Sequence, residues 1–440
     1  PRRPAGGGGA GGGGASFLGA LAAGADAIYL GLKHFSARMQ AENFGLTELS
    51  RLTDLAHAEN ARVYVAMNTL VKPNEPAQAY RLAARLARQV RPDGLIVQDL
   101  AMLDLARQAG FEGGLFLSTL ANLTHPESLL QAKKLGANRV ILPRELSIDE
   151  IRTMGEACPE GLDLECFVHG ALCYCVSGRC YWSSYMGGKS GLRGRCVQPC
   201  RRVYRQGGPA AIALVRNAER EEQDRMRQEQ SRMDIARKNR TGRDGRDGRG
   251  RPDSRGKGDD RRSESFDTPR RPSSRGQVRG KEHNGRWFSC LDLSLDVLAK
   301  TLLNIPHLVS WKIEGRKKGP HYVYHVVTAY RMLRDNPGDA QARKAAEEIL
   351  QMSLGRPASR ARFLPQKDHT IPTSPDGQTS SGLLAGKVRI DPEAGVILKP
   401  FFELLPQDYL RVGVEDERWH ATLPVTRRIP KGGSLTLRLP

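Results

Sequence analysis

The chain has too few cysteines for a disulfide framework, with eight in 440 residues, whereas small secreted scaffolds carry them densely. It lacks any apolar run near the roughly 18 residues that cross a bilayer, so no membrane span is expected. Its start has no charged stretch leading into an apolar run and a cleavage site. No secretion signal is therefore expected, and a cytoplasmic enzyme is the reading. The sequence does not open with Met, as a fragment or processed chain would not. There is no HExxH metal helix and no GxSxG elbow, two short signatures of hydrolases. The glycine run at 6–14 follows no β-rich stretch and is too uniform for a dinucleotide phosphate loop.

Positive charge is abundant. The formal net charge is +20 and the isoelectric point is near 9.9, a balance that favours an anionic partner. Residues 206–282 hold 21 Lys and Arg against 14 Asp and Glu. That segment is rich in Arg, Asp, Gly, Ser and Pro, and reads as a disordered basic insertion, either a solvated spacer or a loose RNA contact, the spacer being favoured. The remaining +13 is either a solvated basic surface or a nucleic-acid footprint. Residues 1–15, almost all Gly, Ala, Pro and Arg, read as a flexible start.

From 16 to 205 short β-rich runs alternate with helical stretches. The runs are Ala27–Gly31, Val63–Asn68, Gly94–Asp99, Leu115–Thr119, Arg139–Glu145 and Leu164–Gly170. Between them, Leu46–Ala58, Ala77–Gln89, Ala101–Ala109 and Pro126–Leu135 predict helices, several closed by a glycine. Such alternation implies parallel strands with crossover helices, either doubly wound or closed into a barrel. The runs repeatedly end in polar residues: Asn68, Gln98, Ser118, Arg144 and His169. In a barrel these ends meet at one mouth, where active sites sit, so an α/β TIM-like (β/α) barrel is favoured. Its last part is expected over 283–355, with a helix near Leu293–Leu303, a strand in "LVSWKIEGR" and a helix from Tyr322 to Asp335. A linker is expected over 356–382. Alternating apolar and polar residues over 383–440 predict a small C-terminal β domain.

Six cysteines fall between Cys158 and Cys200. Cys173 and Cys180 have six residues between them, Cys180 and Cys196 fifteen, and Cys196 and Cys200 three. Four thiolates suit a tetrahedral Zn or a [4Fe–4S] cluster. Only one tight pair is present, which favours the cluster over a two-knuckle Zn site. Arg179, Arg193, Arg195, Arg201 and Arg202 surround these thiols and suit a negatively charged group. Cys158 and Cys166 lie on or beside a strand and read as buried apolar side chains. Cys290 is a candidate replacement ligand.

The segment "ECFVHGALCYCVSGRC" resembles the signature of peptidase family U32, the collagenase-like proteases. "AGADAIYLGLKHFSARMQAENF", "VYVAMNTL", "LSTLANLTHPESLLQAKKLGANRVILPRELS" and "WKIEGRKKGPHYVYHVVTAYR" resemble the rest of that family's barrel, in order. The family's usual apolar first strand is replaced here by the glycine-rich start. The resemblance implies either proteolysis, for which the family was named, or oxygen-independent hydroxylation of RNA by members carrying a [4Fe–4S] cluster. It places the cluster ligands at Cys173, Cys180, Cys196 and Cys200, with Cys290 in reserve. It further implies tRNA or rRNA as partner, prephenate or another acidic small molecule as co-substrate, and in some relatives a paired subunit.

For hydroxylation, Lys312, Glu314 and Arg316 of "KIEGR" are expected at the mouth. The cations would hold carboxylates, and Glu314 would either carry a proton or pair with a cation and shape the barrel. His169 would donate to a cluster sulfur or substrate, or serve structurally. For a peptidase, Cys173 and His169 are the available pair. A non-catalytic partner subunit is the third reading.

Overall fold

The computed structural model describes residues 5–10, 13–37, 39, 43–205, 224, 226–227, 231, 284–315, 318–353, 358–360, 362–364, 384–393, 395–413 and 420–437. The chain divides into two compact units, one of Pro1–Arg202 with Arg286–Pro440, the other of Val203–Gly285.

In the first unit, β1 (Ala5–Ala10), β2 (Ala27–Gly31), β3 (Arg62–Met67), β4 (Gly94–Val97), β5 (Gly114–Leu117), β6 (Arg139–Ile141) and β7 (Asp163–Ala171) pair in sequence order, all parallel. The strands from β2 to β6 are almost wholly buried runs, as a sheet covered on both faces requires. The crossovers are α1 (Gly14–Ala22), α2 (Leu46–Ala58), α3 (Pro76–Arg85), α4 (Ala101–Gln108), α5 (Pro126–Lys134) and α6 (Ile148–Glu156). Helix α3 starts on a proline that needs no backbone donor, and runs on into a π turn at Leu86–Val90. A capping box opens α6, where Ser147 and Glu150 satisfy each other's backbone N–H groups.

A short helix, α7 (Trp182–Gly187), follows β7. In the second unit, β8 (Tyr204–Arg205) pairs antiparallel with β9 (Asn284–Gly285). The first unit resumes with β10 (Asp292–Ser294), antiparallel to β7, then α8 (Ala299–Leu302), β11 (Leu308–Ile313), α9 (Pro320–Asp335) and α10 (Ala340–Met352). Strand β11 pairs in parallel with β7 on one side and β1 on the other. Each of these eight parallel strands therefore has two parallel neighbours, in a mixed α/β, TIM-like fold. A short β12 (Ala358–Ser359) extends from β10.

Residues 384–437 form antiparallel pairs: β13 (Gly386–Asp391) with β14 (Gly395–Pro400), β14 with β17 (Leu435–Leu437), and β15 (Tyr409–Gly413) with β16 (His420–Pro424). Their own core is Leu398, Leu404, Leu410, Val425, Ile429 and Leu437.

Several expectations need correction. The glycine-rich start is a strand over Ala5–Ala10, because two neighbouring strands supply its hydrogen bonds and no side-chain packing is needed. The helix expected over Leu293–Leu303 is broken into β10, a 3-10 turn at Asp296–Leu298 and α8, because Asp292–Ser294 pairs with β7 instead. The expected linker over 356–382 is ordered at its beginning: Ser359 pairs on β10, and Phe363 is buried in the main core. The rest of that linker lies outside the described residues, as does the insertion over 206–282 apart from isolated helical positions at 224, 226, 227 and 231.

The inner face of the sheet carries a charged ladder across three strands. Glu165 on β7 takes Lys312 of β11 at 2.7 Å and Arg139 of β6 at 3.2 Å, and all three are buried. Burial alone would raise the Glu165 carboxyl, but Lys312 and Arg139 hold it below the ordinary carboxylate value. Lys312 also lies 4.0 Å from the ring centre of Tyr29, and Arg139 lies 4.6 Å from that of Phe116. Glu165→Ala leaves two buried cations without their anion. It should cost about 3–5 kcal/mol in urea unfolding; a loss below about 1 kcal/mol would show that the ladder is not a buried ion network.

Candidate functional site

The strand ends converge on a common edge. Asn68, after β3, lies 3.5 Å from Ser118 after β5. Gln98, after β4, donates to the Leu120 carbonyl at 3.4 Å. Glu314, directly after β11, receives the Tyr29 hydroxyl at 3.4 Å and lies 3.6 Å from the Arg144 guanidinium. Arg144 itself stacks 3.8 Å from the centre of the Phe167 ring.

The cysteine-bearing loop crosses this edge. After β6, Glu145 accepts both the backbone N–H and the hydroxyl of Ser177. After β5, Gly178 lies so close to the Leu120 carbonyl that a Cβ would collide with it, and its φ of 71° also favours glycine. After β3, Arg193 forks onto Glu75, at 2.6 Å to one oxygen, and holds that carboxyl below its ordinary value. After β2, Gly194 meets the Ser36 carbonyl in the same close manner, at φ 75°.

Six thiols lie in this region. Cys173 is exposed, Cys175, Cys180, Cys196 and Cys200 are half-buried, and Cys290 is buried. Burial pushes the Cys200 thiol up to about 11, with Cys173, Cys196 and Cys290 adding to the rise and Arg201 opposing it. Burial, Cys180, Cys173 and Cys200 push Cys175 up to about 12. These mutual effects mean that sulfurs from three separate segments share one neighbourhood. Among the described residues, no three His, Cys, Asp or Glu side chains close tightly enough to hold a single metal ion. Four thiolates suit either a tetrahedral Zn or a [4Fe–4S] cluster.

The donor set has supporting contacts. The Gln198 N–H points at Cys196 Sγ over 3.4 Å, and the Ser183 hydroxyl lies 3.5 Å from the same sulfur. Arg201 is buried and forks onto three partners: the Leu172 carbonyl at 2.7 Å, the Ser289 hydroxyl at 3.0 Å and the Cys290 carbonyl. One guanidinium thus ties together the backbone beside Cys173, Cys200 and Cys290. The residue types alone marked Arg201 as a cation near the thiols, whereas its clamp role depends on carbonyl positions. Cys158 and Cys166 are buried: Cys158 donates to the Leu162 carbonyl at 3.3 Å, and burial pushes it up to about 12.

Beside Cys173 is a small solvent-open pocket, whose lining includes Arg144, Arg362, Tyr174, Ser177 and the Glu145 carboxylate that Ser177 holds. Its two guanidiniums suit an anion. Arg362 carried no signal in the sequence, since it falls in the stretch read as linker.

His169 lies at the strand ends, its carbonyl accepting from the Glu314 N–H at 2.9 Å, but its ring turns away from that edge. The β7–β11 register shifts between Lys312 and Ile313, so that Val168 is an extra residue and His169 pairs with Ile313. The ring faces Tyr322 and Tyr330 of α9, with its Nδ1 3.5 Å from the Tyr330 hydroxyl. Burial lowers its pKa to about 4, so it is neutral near pH 7. The expected role as donor at the mouth is corrected accordingly: the bulge turns the side chain onto a helix. Lys312 is committed to Glu165 on the inner face. Arg316 lies outside the described residues.

A parallel α/β fold carrying a thiol-rich loop over its strand ends defines the class of this protein. The family model described as "Peptidase family U32" matches residues 14–371, and the chain belongs to that family. It is 38% identical to "Uncharacterized protease MJ0090" of Methanocaldococcus jannaschii, over 41% of this chain and 44% of that protein. It is 38% identical to the "23S rRNA 5-hydroxycytidine C2501 synthase" of Escherichia coli strain K12, over 41% of this chain and 27% of that protein. It is 35% identical to the "tRNA hydroxylation protein P" of Haemophilus influenzae, over 42% of this chain and 40% of that protein. The chain thus spans less than half the length of each of these relatives.

Two outcomes follow. Arg201→Lys keeps the charge but loses the fork, leaving a buried carbonyl unpaired; urea unfolding should report a loss of about 1–3 kcal/mol. Because the folded pKa of His169 is depressed, its contribution is fully present above its ordinary value of 6.5 and fades as pH falls toward about 4. Between those limits the native chain should lose about 3 kcal/mol that His169→Gln does not lose. Equal pH slopes for the two proteins would contradict the neutral buried histidine.

Proposed function

We propose that the chain takes part in oxygen-independent hydroxylation of an RNA base, tRNA or rRNA, using a [4Fe–4S] cluster held by Cys173, Cys180, Cys196 and Cys200. The cyclic strand pairing is read as a closed eight-stranded barrel, which puts those thiols at its mouth. The observation that carries this reading is the meeting of thiols from separate segments beside an arginine-lined pocket. The names of two relatives, a tRNA hydroxylation protein and an rRNA hydroxycytidine synthase, support the same chemistry.

When bound, such a cluster supplies one-electron chemistry. The chain's own residues do the rest. Arg144 and Arg362 bind the carboxylates of an acidic co-substrate such as prephenate at the pocket beside Cys173. The Glu314 carboxylate, whose Oε2 faces the Tyr29 hydroxyl and the Arg144 guanidinium, serves as a proton acceptor at the strand-end edge. Arg201 keeps the cysteine segments in register and offsets the negative charge of a thiolate-bound cluster.

The peptidase reading is carried by the family description and by relatives named as a protease and as a collagenase. The pair available to it is Cys173 and His169, and the His169 ring faces Tyr322 and Tyr330.

Purified without air, the native chain should be brown and carry about four irons and four sulfides. Cys180→Ala and Cys196→Ala should each lose that colour and most of the iron. A colourless protein with one Zn that cleaves peptides would overturn the hydroxylase reading in favour of the peptidase.

A further inference from the structure

One exposed patch next to the thiols is left unused by the chemistry above. Trp182 anchors α7, with its ring 5.0 Å from Phe288 and 6.3 Å from Tyr174. Ser183 ties the same helix to the cysteine loop, accepting from the Val197 N–H at 3.1 Å beside Cys196. With its inner side fixed in this way, the helix turns two tyrosines outward. Tyr181 is 69% exposed and Tyr185 is 81% exposed. The Tyr185 N–H donates to the Tyr181 carbonyl at 3.0 Å, so the two residues stand one helical turn apart on one face.

Large aromatic side chains left this open are costly to hydrate and are typical of binding surfaces. Charge identifies the partner. Between Ala171 and Arg202 there are six Lys and Arg and no Asp or Glu. Two of the six are committed, Arg193 to Glu75 and Arg201 to its carbonyl clamp. Arg179, Lys189, Arg195 and Arg202 are exposed and make no ion pair among the described residues.

We propose that Tyr181 and Tyr185 form a stacking platform for unpaired bases of RNA, with Arg179, Lys189, Arg195 and Arg202 taking the flanking phosphates. This rests on the RNA reading above and names the surface and the form of RNA it takes. Aromatic faces recognise splayed bases, whereas a continuous A-form duplex keeps its bases stacked and out of reach. The platform therefore selects loops or single strands. Its place beside Cys180 and Cys196 brings a captured loop to the mouth.

The test uses the full chain, a fluorescently labelled RNA hairpin with an unpaired loop, and the same strand annealed to its full complement. Anisotropy titrations should show the native chain preferring the hairpin. Replacing both Tyr181 and Tyr185 by alanine should weaken hairpin binding at least about tenfold and leave duplex binding unchanged. Tyr181→Phe with Tyr185→Phe should restore it, which separates lost stacking from a damaged fold. Lys189→Glu with Arg195→Glu should weaken both RNAs and flatten the salt dependence. An alanine variant that binds the hairpin like the native chain overturns the platform while leaving the RNA reading in place. A native chain that binds neither RNA overturns both. A native dimer that the alanine variant dissociates, with hairpin binding intact, makes the face a protein contact and also overturns the proposal.

Discussion

The candidate site depends on one buried guanidinium. Arg201 sits beside Cys200 and donates to the carbonyls of Leu172 and Cys290 and to the Ser289 hydroxyl. Its own carbonyl accepts from Arg286. Segments distant in sequence are thereby fixed at the positions where their thiols influence one another. A planar fork of five donors can satisfy several carbonyls at once, and a lysine cannot. The clamp holds these segments together, and the cations around it suit the negative charge of a metal-bound thiolate group.

The sheet below supplies the platform. Strand β11 lies between β7 and β1, and carries Lys312 inward to the charged ladder and Glu314 to the strand-end edge. Alternation does the sorting: neighbours on a strand point to opposite faces, so Trp311 goes to the outer core while Lys312 goes in. At β7 the extra residue interrupts that alternation and sends His169 outward. A local register shift therefore separates a histidine used for packing from thiols only a few residues further on.

Much of this architecture was legible in the residues. Strand β2 and helix α2 fall on the stretches that periodicity marks, because apolar runs bounded by glycine and long Ala- and Leu-rich segments have few other ways to bury themselves. The cysteine segment was legible too, by its spacing and its resemblance to a known family. What escaped depends on partners rather than on local pattern. Strand β1 has no side-chain signature and exists because β2 and β11 flank it. Asp292–Ser294 reads as part of a helix until β7 offers it an antiparallel partner. Arg362 and Phe363 sit in a stretch whose composition suggests a linker, yet one lines the pocket and the other fills the core.

The proposed role rests on the gathered thiols holding a polynuclear iron–sulfur group. X-ray absorption at the iron and zinc edges, with metal analysis, on the full chain isolated without air tests this directly. Iron in an all-sulfur shell with a second shell of iron scatterers is the expected result. Iron or zinc with a sulfur shell and no metal–metal scattering, or a chain that binds no metal there, would contradict it.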